Sequence, residues 1–365
     1  MISARNLLAA VLLAAASIIP SFAQDGELAF KFEGPRRYAG FIPSGADVSL
    51  TYSGLSLSPE GNTRLFLMVG AGYENGSLLR DLVTGDPWAA TDEGYTYDAP
   101  DFRWDLAFIQ GLARRNDGDN LVEAFAYYRG RYDAYANELS SAVFPDIHGI
   151  FGTSIMGGMS YDSRTLSEHY FKDGMYAEAS AEWGPGILNA STDFWRVSGQ
   201  VRGFLPVFDF PTEGGNRFNA YLAGFAGVDY ADGTSVPIYV NQSFGGRKLR
   251  DSLGDSVRGY GWNKFDSSFK SVANAELRLL GPSLGLDAIL PLLYGFIDTG
   301  FYAGFAGSTD YASASGFIAS AGVGAAIDLA DVVQLGAYAG FRLMEDRLYY
   351  PRDAFFWGIM LFSHF

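Results

Sequence analysis

The chain has 365 residues, a formal charge of −15 and no cysteine. That excludes disulfides and thiol chemistry and argues against nucleic acid as a partner. Hydrophobic residues make up 48%, aromatics 16% and charged residues only 18%, with 45 glycines; yet beyond the first two dozen residues no apolar run reaches the ~20 residues that a membrane helix needs.

The N-terminus reads "MISARNLLAAVLLAAASIIPSFAQDG". Arg5 supplies a positive start, Leu7 to Ile19 is apolar, and small residues precede Gln24. This predicts a secretory signal peptide over residues 1–23, cleaved after Ala23. Cleavage removes Arg5 and no acid, so −15 becomes −16. A secreted chain rich in aromatics and glycine, without membrane helices, predicts a bacterial outer-membrane β-barrel over 24–365. A soluble β-sandwich or barrel is the alternative reading of the same composition. No folded domain is expected before the barrel.

In chain order, strands are expected near 27–33, 47–56, 62–74, 102–113, 120–132, 150–162, 174–185, 191–206 and 215–230. Five more follow near 269–280, 288–302, 315–328, 332–343 and 354–365. That is fourteen read directly; with one or two more expected within 75–101 or 133–149, an up-and-down antiparallel barrel of about 16 strands is expected. The reading rests on period-2 alternation. In "ADVSLTYSG", Asp47, Ser49, Thr51 and Ser53 oppose Val48, Leu50 and Tyr52. In "FWRVSGQVRGFL", Arg196, Ser198, Gln200 and Arg202 oppose Trp195, Val197, Val201 and Leu205. In "VANAELRLL", Asn274, Glu276 and Arg278 oppose Ala273, Ala275, Leu277 and Leu279. "NRFNAYLAGFAG" is less regular, because Tyr221 and Phe225 share a face with Arg217 and Asn219. Short links at 114–120, 281–287 and 329–331 alternate with longer ones. Since such barrels have short periplasmic turns, the C-terminus is expected in the periplasm.

The longest link, from about Asp229 to Phe269, contains "SLGDSVRGYGWNKF". Together with "GG" at 245–246, the strand "NAELRL" and "GFIDTGFYAG", it resembles the BamA/TamA superfamily of outer-membrane assembly and transport barrels. The resemblance covers roughly 240–365 and implies that this loop folds back into the lumen with Val257, Arg258, Gly259 and Tyr260 at its tip. In that family the arginine of the motif meets an acidic residue on a lumen-facing strand. Here Asp298 alternates with Tyr294, Phe296 and Tyr302, so it faces the lumen, as does Glu276. A guanidinium pairs bidentately with a carboxylate and stacks on aromatics. Arg202, in a second "VRG", belongs instead to a regular strand. The ending "FFWGIMLFSHF" resembles the family's C-terminal assembly signal, with Trp357, Ile359 and Leu361 on one face and Phe365 last; Ser363 departs from it. Family members usually carry POTRA domains; none is expected here, and that expectation separates the chain from a typical assembly factor.

The three histidines, His148, His169 and His364, form no catalytic or metal-binding constellation, and no phosphate-binding glycine loop follows a strand. The expectation is therefore a non-enzyme without cofactor or metal. Its expected partners are outer-membrane lipid, client outer-membrane or exported polypeptides, and further copies of itself in a homo-oligomer. Protein insertion or translocation is the first function considered. The alternatives are a passive porin-like channel and a structural, surface-exposed protein.

Overall fold

In a computed structural model, the residues described are 27–34, 37–39, 42–78, 95–134, 149–167, 170–189, 191–211, 217–247, 249, 253–254, 256–260, 267–282, 289–304, 315–329, 333–345 and 354–364. The expected signal peptide, His148, His169, Trp262 and Phe365 lie outside them.

Seventeen strands are present among the described residues, fifteen in one antiparallel sheet. They are β1 (Leu28–Gly34), β2 (Arg37–Ala39), β3 (Ile42–Ser44), β4 (Ala46–Ser58), β5 (Gly61–Leu78), β6 (Tyr95–Arg114), β7 (Asn120–Ala134), β8 (Gly149–Asp162) and β9 (Thr165–Ser167). β10 (Tyr170–Gly184), β11 (Asp193–Pro211), β12 (Arg217–Ser235), β13 (Phe269–Leu280), β14 (Ile289–Ala303), β15 (Gly316–Leu329), β16 (Val333–Arg342) and β17 (Phe355–His364) follow. β2 and β3 form a separate hairpin, and the three-residue β9 pairs only with the start of β10. Fourteen strands remain as staves of a transmembrane barrel. No helix of the described residues is long and apolar enough to cross a membrane.

Alternation decides which way each side chain points. On β11, Arg196 and Arg202 are buried in the lumen, while Trp195, Val201 and Leu205 are exposed on the outside. On β13, Asn274, Glu276 and Arg278 point inward, and Leu277 outward. β12 shows why its alternation looks irregular. Tyr221 and Phe225 do face inward, where they join a lumenal aromatic cluster with Tyr294, Phe296 and Phe356. A filled lumen takes aromatics as readily as polar groups. Outside, Phe151, Trp183, Trp195, Phe301, Phe317, Phe341 and Phe355 are exposed near the strand ends that bear the long loops, as a membrane-interface girdle requires.

Several staves outrun their expected ends. β5 continues to Leu78 and β6 starts at Tyr95, so both described ends of 75–101 belong to these two staves. β12 continues to Ser235, so the long loop starts at residue 236. These extensions carry few aliphatic residues, so alternation of hydrophobicity fades there while the backbone ladder continues.

The sheet is not firmly closed. β10 and β11 pair over eleven residues, and β12–β13 and β13–β14 over twelve each. Among the described residues β1 and β17 share two residue pairs, Glu33↔His364 and Gly34↔Ser363. The strands at this seam are also short: 7 residues in β1 and 10 each in β16 and β17, against 19 in β11 and β12.

Candidate functional site: the lumen loop and its anchors

The described residues of the loop from 236 to 268 lie in the lumen. The loop starts with one helical turn, α1 (Ile238–Asn241). The carbonyls at its end are met by cations from the wall: Arg196 Nη2 donates to Val240 O at 3.2 Å and to Ser243 O, and Lys270 Nζ to Val240 O at 3.2 Å. Both cations pair with the fully buried Asp229, at 2.7 and 2.9 Å. Asp229 also accepts the backbone N–H of Gly245 at 2.9 Å, which fixes the chain as it leaves α1.

The first anchor is Arg247. Its backbone N–H and Nε donate to Glu178 at 2.7 and 2.9 Å, Nη1 donates to Glu123 at 2.8 Å, and Nη2 to Ser160 Oγ. Its guanidinium lies 4.4 Å from the Phe125 ring. One side chain thus ties the loop to β7, β8 and β10. Sequence reading overlooked this anchor. The available signal was a cation directly after "GG", opposed by two acids, Glu123 and Glu178, on inward positions of their strands.

The second anchor is Arg258, on the opposite wall. Nε and Nη2 donate to the two oxygens of Asp298 at 2.6 and 2.7 Å, a bidentate fork. Its backbone N–H also reaches Asp298, at 3.1 Å. Nη1 pairs with Glu276 at 2.7 Å, and the guanidinium stacks 3.7 Å over Phe296. Asn274 Nδ2 bridges Asp298 Oδ1 and the loop carbonyl of Ser256, at 2.8 and 3.0 Å. β13 and β14 place these groups side by side, because Asn274 pairs with Asp298 and Glu276 with Phe296 across the ladder. Burial alone would lower the guanidinium's pKa; hydrogen bonding to Asp298 and the charges of Glu276 and Asp298 outweigh it and raise it above the ordinary arginine value. Arg258 therefore remains a cation in the lumen.

The rest of the motif shapes the tip. Val257 and Tyr260 are buried, and the Tyr260 N–H closes a turn on Val257 O at 3.1 Å. Gly259 has φ 90°, and a Cβ there would meet the Phe356 ring at 2.5 Å. Only glycine suits both the backbone and the space. The Tyr260 hydroxyl lies 3.0 Å from Ala319 O and 2.6 Å from Met344 O, and Arg342 Nε donates to Gly259 O. The tip thereby touches β14 to β17.

Arg202 stays on its strand, β11, where it donates to Leu253 O of the loop at 2.8 Å. Trp357 and Ile359 point outward and are exposed. The backbone of Leu361 pairs with Leu335; its side chain, like Phe365, lies outside the described residues. Among the described residues no group of His, Asp and Glu is placed to hold a metal ion.

No family model and no curated protein matches the sequence. Among solved structures, an outer-membrane polysaccharide secretin from bacteria aligns over 93% of this chain and 98% of its own, at 8% identity and a TM-score of 0.36, too slight a likeness to argue from. The BamA of Haemophilus ducreyi lacking POTRA domains 1–3 aligns over 93% of this chain and 70% of its own, at 13% identity and a TM-score of 0.50. The chain is similar to that protein in its fold: a BamA-like barrel.

Proposed function

We propose that the protein is an outer-membrane barrel that inserts or translocates polypeptides, working at its wall, with its short turns and C-terminus in the periplasm. The seam carries this reading. Among the described residues two pairs hold β1 to β17, against twelve at β12–β13, so parting these strands there breaks far fewer hydrogen bonds. Parted strand edges present N–H and C=O groups that template a further strand. The ten-residue β16 and β17 lie within the ~9–11 residues that span a bilayer, but they and the seven-residue β1 are the shortest staves, so the wall is lowest beside the seam. A low, weakly joined wall is where a client strand would enter. The loop-filled lumen counts against a passive open channel.

The test is a seam lock. The natural chain has no cysteine, so Gly34→Cys with Ser363→Cys joins one of the two seam pairs. Ala275→Cys with Ile297→Cys is the control, on the fully paired β13–β14 junction. In a reconstituted assay of β-barrel folding into liposomes, the oxidised seam lock should abolish client assembly and reductant should restore it, while the control stays active. Full activity of the oxidised seam lock would refute the reading.

A further inference from the structure

We propose that the β9–β10 hairpin is a lid over the short-turn end of the lumen, hinged at Gly174 and latched to the far wall by Tyr170. This goes beyond the polypeptide-handling reading and does not rest on it. β10 belongs to the wall only from Gly174 onward: its pairing with β11 begins at Gly174 and with β8 at Tyr176. Tyr170 to Asp173 pair only with β9. At the departure point Gly174 has φ 87°, and a Cβ would lie 2.2 Å from Ser163 O. No other residue fits that bend.

The hairpin then crosses the mouth. The Tyr170 hydroxyl accepts a hydrogen bond from Gln334 Nε2 at 3.0 Å, beside the Asp328 carboxylate. Asp328 and Gln334 are cross-strand partners on β15 and β16. Round the sheet, β10 and β15 are five strands apart, about 24 Å along the wall at ~4.8 Å per strand. A hydrogen bond over that separation requires the chain to bridge the lumen. Tyr170 is buried, and Phe171 packs 5.8 Å from Phe204 and against the lumenal aromatic cluster. Arg164, held by Asp162 at 2.8 Å, lies 4.2 Å from the Phe171 ring and props the hairpin from below. The loop anchored by Arg247 and Arg258 enters the lumen from the other end, so the resting barrel is shut from both ends, by separately anchored devices.

A single reporter cysteine tests this. Leu292→Cys, a buried position of the lumenal cluster, is exposed to a membrane-impermeant maleimide in lipid nanodiscs. In the otherwise natural chain it should label slowly. Tyr170→Ala, Gly174→Ala, or replacement of Thr165–Phe171 by a tight turn should speed labelling at least ten-fold; Arg258→Ala, at the other device, should change it less than two-fold. Heat-shifted mobility in SDS gels shows that each variant is folded. In a protein without the reporter, Tyr170→Cys and Gln334→Cys should be joined by a short bifunctional thiol reagent. Failure of that cross-link, fast labelling of the intact barrel, or unchanged labelling in folded lid variants would overturn the proposal.

Discussion

Arg258→Ala removes three charge-assisted hydrogen bonds and a stacking contact at once. The carboxylates left behind differ. Glu276 keeps Arg278 Nε at 2.6 Å. Asp298, fully buried, keeps only neutral donors from the anchor, Asn274 Nδ2 and the backbone N–H of residue 258. Breaking a buried ion pair by deleting one partner costs ~3–5 kcal/mol when the other charge is stranded. Here the stranded group keeps two hydrogen bonds and the second acid keeps a cation, so the expected loss is about 2–4 kcal/mol. It falls on the loop, because the staves are held by their own ladder.

At 1.4 kcal/mol per factor of ten, that loss raises the population with the tip released about 30- to 700-fold. Hydrogen exchange or limited proteolysis between residues 236 and 268 should report that increase, with unchanged heat-shifted mobility of the barrel. Asp298→Asn should act in the same direction. The double variant should lose less than the sum, by 1 kcal/mol or more, because removing the carboxylate cancels the penalty of stranding it. Arg258→Lys should recover only part, since an ammonium lacks the fork that engages both Asp298 oxygens and Glu276. Additive losses, or unchanged protection of the loop in Arg258→Ala, would refute the reasoning.

Three further outcomes are expected. Gly259→Ala should release the tip by about 1–3 kcal/mol, read by the same proteolysis; adding Phe356→Leu should relieve the clash and leave the backbone strain. Tyr260→Phe removes the hydroxyl shared by Ala319 O, Met344 O and the Met344 N–H, and should cost about 1–2 kcal/mol of loop protection. Arg247→Ala leaves Glu178 to the neutral donors Tyr176 Oη and Gln200 Nε2 and frees the loop at 247 from β7, β8 and β10, so planar-bilayer recordings should show brief openings absent from the natural chain.

The barrel was legible because its staves alternate over ten residues or more. Arg258 and Asp298 were legible for two reasons that converge: a glycine-flanked arginine in the longest loop, and an acid on an inward position two strands from the loop's start. Arg247 was not, since a loop cation opposed by acids more than 65 residues earlier in the chain has no local signature; only the barrel's closure brings β7 and β10 within reach. The lid was invisible for a related reason. The segment around "LSEHYFKDG" looks like an ordinary turn, and nothing near it announces that Tyr170 meets Gln334, 164 residues away. The seam escaped notice too, because the pairing of the first and last strands is a property of the ring, with no trace in either strand alone.

These features rank the motions open to the molecule. Clearing the lumen means releasing Arg247 and Arg258, each with several bonds to carboxylates, together with the Tyr260 tip and then the Tyr170 latch. Hydrogen bonds to charged groups contribute about 1.5–3 kcal/mol each, so a full opening lies on the order of 10 kcal/mol above the resting state. Parting β1 from β17 involves two residue pairs among the described residues, whose bonds contribute about 0.5–1.5 kcal/mol each in net terms, more where lipid replaces water. Unless a partner binds the opened lumen several kcal/mol more tightly than the closed one, the wall yields first. The lumen loop then has a role that does not require it to move. By tying β7, β8 and β10 to β13 through β17 from within, it stiffens that side of the ring and leaves the β1–β17 junction, beyond the last stave it holds, as the place where the sheet gives.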